Sequence, residues 1–379
     1  MFDQIINHIF SYFIIYTKLI QWTNIEQNTY IGKKVFEYCK RFTNNAPYVS
    51  SDINYKALDD LKEKCNELGL TIDISLKPIN SGTISLIFFT IIDNKKCVIK
   101  LKRIGVYKKV DNVLKNLLFL SKILSVIPIV KNFPLNDIVI SLEKKFIEQV
   151  DFEQEAVNID FFENTVKHNL IDNLMVNKQL SNSELIVTNY IDGKTIYDLT
   201  NDEKRQCLQI FVKTSLCLIF IKKIVHLDCH PGNIIFIKND NNTYKIAYID
   251  LGLLMKICDM EDLDILFNLS KSIGSGNTEE IVSLINTNTI KIFGISNCDL
   301  VKPLCDDIKR MKLFTISNTE QSSKDTHVLL ILINKHQLKL STIIYNFLLH
   351  LISVLSIVLY LDKNNEYFEI MSQQLEKFN

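Results

Sequence analysis

A chain of 379 residues that is 47% hydrophobic can bury one large core or two packed lobes, which excludes the composition of an unfolded polymer. Lys plus Arg and Asp plus Glu both total 43, so the formal net charge is zero, and with no long like-charge block the sequence argues against nucleic acid as a partner. The nine cysteines are scattered without a C-x-x-C pair and no cleavable secretory signal opens the chain, so reduced thiols in an intracellular protein are expected.

The first helical stretch runs from Phe2 to about Trp22, and Asp3, Asn7, His8 and Lys18 interrupt its apolar core short of a membrane span. A second helix is expected near Tyr30 to Phe42 and a third over Tyr55 to Leu68, closed by Gly69. β-Branched and aromatic runs then predict three antiparallel strands over Thr71 to Ile79, Ile84 to Ile92 and Cys97 to Lys102, the last two joined at Asp93-Asn94-Lys95. Helical spacing returns over Val110 to Val126 and Glu148 to Lys167. A strand follows at Leu185 to Ile191, then a helix from Asp202 to Lys223, a short loop from Val225 to Asn233, and a hairpin of Ile234 to Lys238 with Tyr244 to Ile249. Everything after Met260 reads as helix. Leu340 to Leu361 has no Asp, Glu, Lys or Arg, yet Thr342, Asn346, His350, Ser353 and Ser356 form one polar stripe, so a buried helix of the large lobe is expected. The fold class is α+β with two lobes: an N-terminal helical extension over 1–70, a small lobe over 71–191 and a helix-rich large lobe over 192–379.

Chemistry concentrates in His226-Leu-Asp228-Cys-His230-Pro-Gly-Asn233, followed beyond the hairpin by Asp250-Leu-Gly252. Phosphoryl transfer needs a carboxylate to orient or accept the attacking hydroxyl and hard oxygen ligands to hold Mg²⁺ against the phosphates. Asp228 is the expected catalytic carboxylate, Asn233 and Asp250 the expected metal ligands, and Gly252 a sharp turn just past the metal. Upstream, Cys97-Val-Ile-Lys100 resembles the kinase strand whose lysine reaches the α- and β-phosphates. The turn Asn80-Ser81-Gly82-Thr83 would lie over the phosphates, with one glycine where the usual loop has three.

Together these residues resemble the UbiB (AarF-domain, ABC1-type) family of atypical protein-kinase-like proteins. His226 to Asn233 is similar to its His-x-Asp-Pro-His-Pro-Gly-Asn loop and Asp250 to Gly252 to its Asp-Phe-Gly. Gln149-Val-Asp151-Phe-Glu-Gln-Glu155-Ala156 resembles its Glu-x-Asp-Tyr-x-x-Glu-Ala stretch, which implies Glu155 as the partner of Lys100. Pro78 to Thr83 resembles its alanine-rich loop, and Leu185 to Gly193 its connecting strand, which implies an adenine-side hinge at Asn189 and Tyr190. The amino-terminal Lys-x-Gly-Gln signature has no clean counterpart; Lys33-Lys34-Val-Phe36 is its best placement. The resemblance implies ATP and Mg²⁺ as cofactors and a kinase or ATPase acting on a lipid-like or small-molecule acceptor, with peripheral membrane contact. An aminoglycoside- or choline-kinase-like phosphotransferase and an ATP-binding pseudokinase are the alternative readings.

Overall fold

The computed structural model describes residues 46–124, 143 and 146–378, and they form two compact units. The first runs to Glu163 and takes in Leu174–Ile191; the second comprises Asn164–Asn173 and everything from Asp192 on. The expected helices over Phe2 to Trp22 and Tyr30 to Phe42, with the Lys33 to Phe36 placement, lie outside the described residues.

In the first unit, α1 (Tyr55–Glu67) starts at Asn54, whose side chain accepts the Ala57 N–H, and ends at Gly69, held at φ +70°. The sheet comprises β1 (Ile72–Ile74), β2 (Asn80–Ser81), β3 (Ser85–Ile92), β4 (Lys95–Lys102) and β5 (Leu185–Asn189), in the order β1-β3-β4-β5 with β2 also on β3. Asp93 and Asn94, both at positive φ, make the two-residue turn whose twist suits the β3–β4 hairpin. The single strand expected over Thr71 to Ile79 is broken. Pairing on β3 stops at Ile74 and resumes at Asn80, and the segment between bulges out with Leu76 99% exposed; Pro78 has no N–H to offer the ladder.

Ala57, Leu58, Leu61 and Cys65 of α1 pack on Leu86, Phe88, Ile99, Leu101 and Val187 of the sheet. The helix expected in a separate extension is therefore part of the small lobe's core, and no boundary falls at 70/71. After Gly105, at φ +69°, comes α2 (Val106–Leu124), which starts a turn earlier than its apolar spacing suggested. α3 (Phe152–Thr165) completes the unit.

The second unit opens at Gly193, where a Cβ would sit 2.5 Å from Ile235 Cγ2 and 2.6 Å from the Phe236 carbonyl, so only glycine fits. α4 (Asn201–Leu216) carries a capping box of Thr200 and Glu203, and Cys217–Ile221 extends it as a wider π turn. Two small sheets follow: β6 (Ile224–His226) pairs with β9 (Leu254–Lys256), and β7 (Ile234–Lys238) with β8 (Tyr244–Tyr248). Asn164–Asn173 joins this unit because Ile171 bridges Ile246 on β8. The helices α5 (Met260–Gly274), α6 (Thr278–Thr287), α7 (Thr289–Phe293), α8 (Lys302–Arg310), α9 (Thr319–Lys335), α10 (Thr342–Leu361) and α11 (Tyr367–Leu375) then close the lobe. α10 packs against α4, α5, α9 and β6, burying Ile344, Phe347, Leu348, Leu355, Ile357 and Val358. It is long and apolar enough to cross a membrane, and 56% of its most apolar window is buried within the protein.

Candidate active site

β4 lies between β3 and β5, so its alternation aims Lys100 and Lys102 at one face. Lys100 Nζ donates to both oxygens of Glu155, at 2.7 and 2.8 Å. That carboxylate stands in the first turn of α3, where the helix dipole favours an acid, and Asp151 caps the same turn by accepting the Gln154 N–H. The pair is nearly dry: the Lys100 side chain is 16% exposed and Glu155 2%. Phe152 lies beneath, its ring centroid 5.6 Å from Lys100 Nζ and 4.9 Å from Lys102 Nζ. Lys102, absent from the sequence-based site, is buried; its ammonium donates to the Tyr107 hydroxyl at 3.3 Å, and that hydroxyl donates to the Val150 carbonyl. Two-residue alternation from Lys100 was the signal that would have found it.

The remaining first-unit candidates are placed differently from one another. Ser81 is buried, its hydroxyl donating to the Ala46 carbonyl at 2.7 Å and accepting from Arg103 Nη2 at 2.6 Å. Arg103 in turn holds Asp52 and the Pro47 carbonyl. Burial works to raise the Asp52 carboxyl, but Lys109, the Val49 N–H and Arg103 outweigh it and hold it below the usual carboxylate range. The Ser81 hydroxyl thus spends its hydrogen bonds on a structural knot. Asn80 is exposed, and its Oδ1 accepts the Ser81 N–H. Gly82 is not at positive φ, and a Cβ there would make only ordinary contact with Ser85, so the turn does not demand glycine. Thr83 Oγ1 is buried without a hydrogen-bond partner. Asn189 Oδ1 accepts the Met175 N–H at 2.6 Å, while Tyr190 donates its N–H to the Lys96 carbonyl and sets its ring edge-on to Phe89.

In the second unit the loop after β6 is tied from several sides. Asp228 N–H donates to His226 Nδ1, the Leu227 N–H donates to the Leu253 carbonyl, and the Asp228 carbonyl accepts from the His230 N–H and from Asn233 Nδ2 at 2.9 Å. Because Asn233 spends its NH₂ on the loop, its Oδ1 is the end left for a cation. Asp228 is buried with one oxygen 3.9 Å from His230 Nε2, and His230 Nδ1 caps the short Pro231–Asn233 turn through the Gly232 N–H. Asp250 is half-buried beyond β8, and its Oδ1 accepts the Gly252 N–H at 3.1 Å. That bond closes the turn past Asp250; Gly252 is not held at positive φ, so the turn does not depend on glycine's freedom. Burial pushes the His226 imidazole below its ordinary value, against the pull of the Asp228 and Asp250 charges. Burial and the Asp228 charge push the Cys229 thiol up, which leaves it protonated and inert.

Among the described residues no three of His, Cys, Asp and Glu gather as a self-sufficient metal site. Asn233 and Asp250 supply hard oxygens of the kind Mg²⁺ prefers, and one or two protein ligands are its usual share when phosphates complete the shell. The donor set fits that ion.

The model of the ABC1 atypical kinase-like domain matches residues 42–285. A probable serine/threonine-protein kinase, abkC, of Dictyostelium discoideum is 23% identical over 228 residues, or 58% of this chain. An ABC1 family protein, C10F6.14c, of Schizosaccharomyces pombe is 30% identical over 132 residues, or 32% of this chain. The matched stretches take in 31% and 25% of those relatives' own lengths. A solved complex of Rv3197 from Mycobacterium tuberculosis with erythromycin overlaps 87% of this chain and 95% of its own, at 13% identity and a TM-score of 0.46.

Proposed function

The chain belongs to the ABC1 atypical kinase-like family, and from that premise we propose that it is an ATP- and Mg²⁺-dependent phosphotransferase of the UbiB type, acting on a lipid-like or small-molecule hydroxyl. The Lys100–Glu155 ion pair carries this reading. A kinase lysine must be held by its glutamate to grip the α- and β-phosphates, and here the two are joined through both carboxylate oxygens although 55 residues separate them. In the same reading Asn233 Oδ1 and the Asp250 carboxylate hold the metal, which when bound neutralises charge on the phosphates. Asp228 orients the acceptor hydroxyl and takes its proton as the new bond to the γ-phosphorus forms and the bond from that phosphorus to the bridging oxygen breaks, releasing ADP. Thr83, with its unspent hydroxyl, is the member of the 80–83 turn best placed by chemistry to meet a phosphate oxygen.

The test is Mg²⁺-dependent ATP turnover by the parent and by Asp228→Asn, with vesicles, phenolic lipid precursors and a generic protein as acceptors. Turnover in the variant is expected to fall at least ~100-fold with nucleotide affinity within a few-fold, since the carboxylate acts mainly in the transition state. Parent-like turnover in Asp228→Asn would sink the assignment. Mg-ATP binding with no turnover toward any acceptor would replace it with the binding-scaffold reading.

A further inference from the structure

We propose that His350, on the apolar helix α10, is the positioning residue of the Asp228 loop. Its Nδ1 lies 2.8 Å from the His226 carbonyl oxygen, 124 residues away in the chain, and both residues are buried. A carbonyl can only accept, so His350 Nδ1 carries the proton and the imidazole is the donor. One residue on, the Leu227 N–H is held by Leu253, and then the Asp228 N–H is held by the His226 ring. The strand end that delivers Asp228 is thus gripped at three polar groups of two consecutive peptides. His350 supplies the grip that originates outside the 226–254 segment, and it ties the loop to the helix around which α4, α5 and α9 pack.

The other face of the same ring supports the assignment. His350 Nε2 has no hydrogen-bond partner within the protein, and the residue borders a cavity of about 30 Å³ lined by Ser215, Phe347, Val354 and Tyr367. A space of that size holds a water or two, so the bare nitrogen can be solvated without a charge beside it. Burial pushes the imidazole down to about 4, which keeps it neutral, and the His226 carbonyl then selects the Nδ1–H tautomer. A leucine would fill α10 equally well; what the imidazole adds is the N–H toward the loop.

The proposal rests on the reading of Asp228 as the catalytic carboxylate, and its test separates the two. In the parent, ¹⁵N spectra of the His350 ring should show a protonated Nδ1 and a bare Nε2 across neutral pH. His350→Leu should speed exchange of the Leu227 and Asp228 amides at least tenfold while α6 amides keep the parent rate. His350→Asn, which places an N–H where Nδ1 stood, should restore the parent rates; His350→Gln, whose N–H falls where Nε2 stood, should not. In Mg-ATP turnover, His350→Leu should lower kcat tenfold or more with the nucleotide KM within twofold, and His350→Asn should recover most of it. If His350→Leu does not fold, the comparison of Asn with Gln decides alone. Equal behaviour of Asn and Gln, unchanged exchange at Leu227 and Asp228, or a proton on Nε2 of a neutral ring would each overturn the proposal. A parent without turnover would refute the phosphotransferase reading and leave the exchange and ¹⁵N measurements to decide this one.

Discussion

Lys100 and Glu155 are unequally buried, and that inequality predicts unequal costs when either is removed. Lys100→Met strands a carboxylate whose side chain is 2% exposed, so water cannot replace the lost ammonium. Removing one member of a buried pair in this way costs about 3–5 kcal/mol. Glu155→Gln strands an ammonium that is 16% exposed, keeps the side-chain shape and leaves one oxygen to accept from Nζ. Its cost is closer to that of one charge-assisted hydrogen bond, about 1.5–3 kcal/mol. Lys100→Met should therefore be the more destabilising by roughly 1.4 kcal/mol, a tenfold difference in the opened population. Native-state amide exchange of β3 and β4 reads this within the first unit, whatever the second unit does. If Glu155→Gln cost as much as Lys100→Met, or if neither exceeded about 0.5 kcal/mol, the pair would not be the dry contact described above.

Asp250→Asn should abolish most of the extra thermal stabilisation that Mg²⁺ adds to ATP, because the ion loses its anionic protein ligand; an Mg-ATP shift equal to the parent's would exclude the metal role. Hydrogen bonds from Lys194, the Tyr244 hydroxyl and the Thr200 N–H hold Glu203 down to about 2, so its contribution to stability is present above the ordinary carboxylate value and is lost as pH falls through about 2. Glu203→Gln should flatten that acid limb in melts taken from pH 6 to pH 2, and an unchanged slope would show that the network does not act on stability. A truncation ending at Lys339 removes α10 and α11 and should leave the second unit unfolded, since each buried Leu, Ile, Val or Phe of α10 contributes about 1.5–3 kcal/mol. A truncated protein that folds and binds nucleotide as the parent does would make α10 an appendage.

How much of this was legible in the sequence depended on whether a residue's partners lie nearby along the chain. The β3–β4 hairpin was, because Asp93-Asn94 is a turn between two β-branched runs. Asp228 and Asn233 could be picked out together because they sit in one short loop, whereas the bond from Asn233 Nδ2 to the Asp228 carbonyl appears only in three dimensions. Glu155 was reached only through the family resemblance, since nothing in composition or periodicity links it to a lysine 55 residues earlier. The partners of the Ser81 hydroxyl were equally hidden, since Ala46 and Arg103, 35 and 22 residues away, claim it. The three-residue strands β6 and β9 are too short to show a period, so their pairing appears only in three dimensions.

The face of α1 illustrates the same limit from the apolar side. Leu58, Leu61 and Cys65 recur at spacings of three and four and are buried, yet hydrophobicity, being non-directional, does not say from the sequence which surface they cover. A polar group on an apolar helix is more informative, because a hydrogen bond is directional and a buried donor must find an acceptor. The stripe on α10 therefore required a protein neighbour before any neighbour was known. His350 meets the His226 carbonyl and Asn346 Nδ2 reaches Met255 Sδ at 3.7 Å, while Ser353 and Ser356 turn back to carbonyls of their own helix, so the stripe divides into two long-range contacts and local ones. Of these, the His350 contact is the one that reaches the strand end delivering Asp228. It follows that replacing Ser353 or Ser356 by alanine should leave the amide exchange of Leu227 and Asp228 at the parent rate, whereas His350→Leu should not. A helix retained only for its apolar bulk would make all three substitutions equivalent.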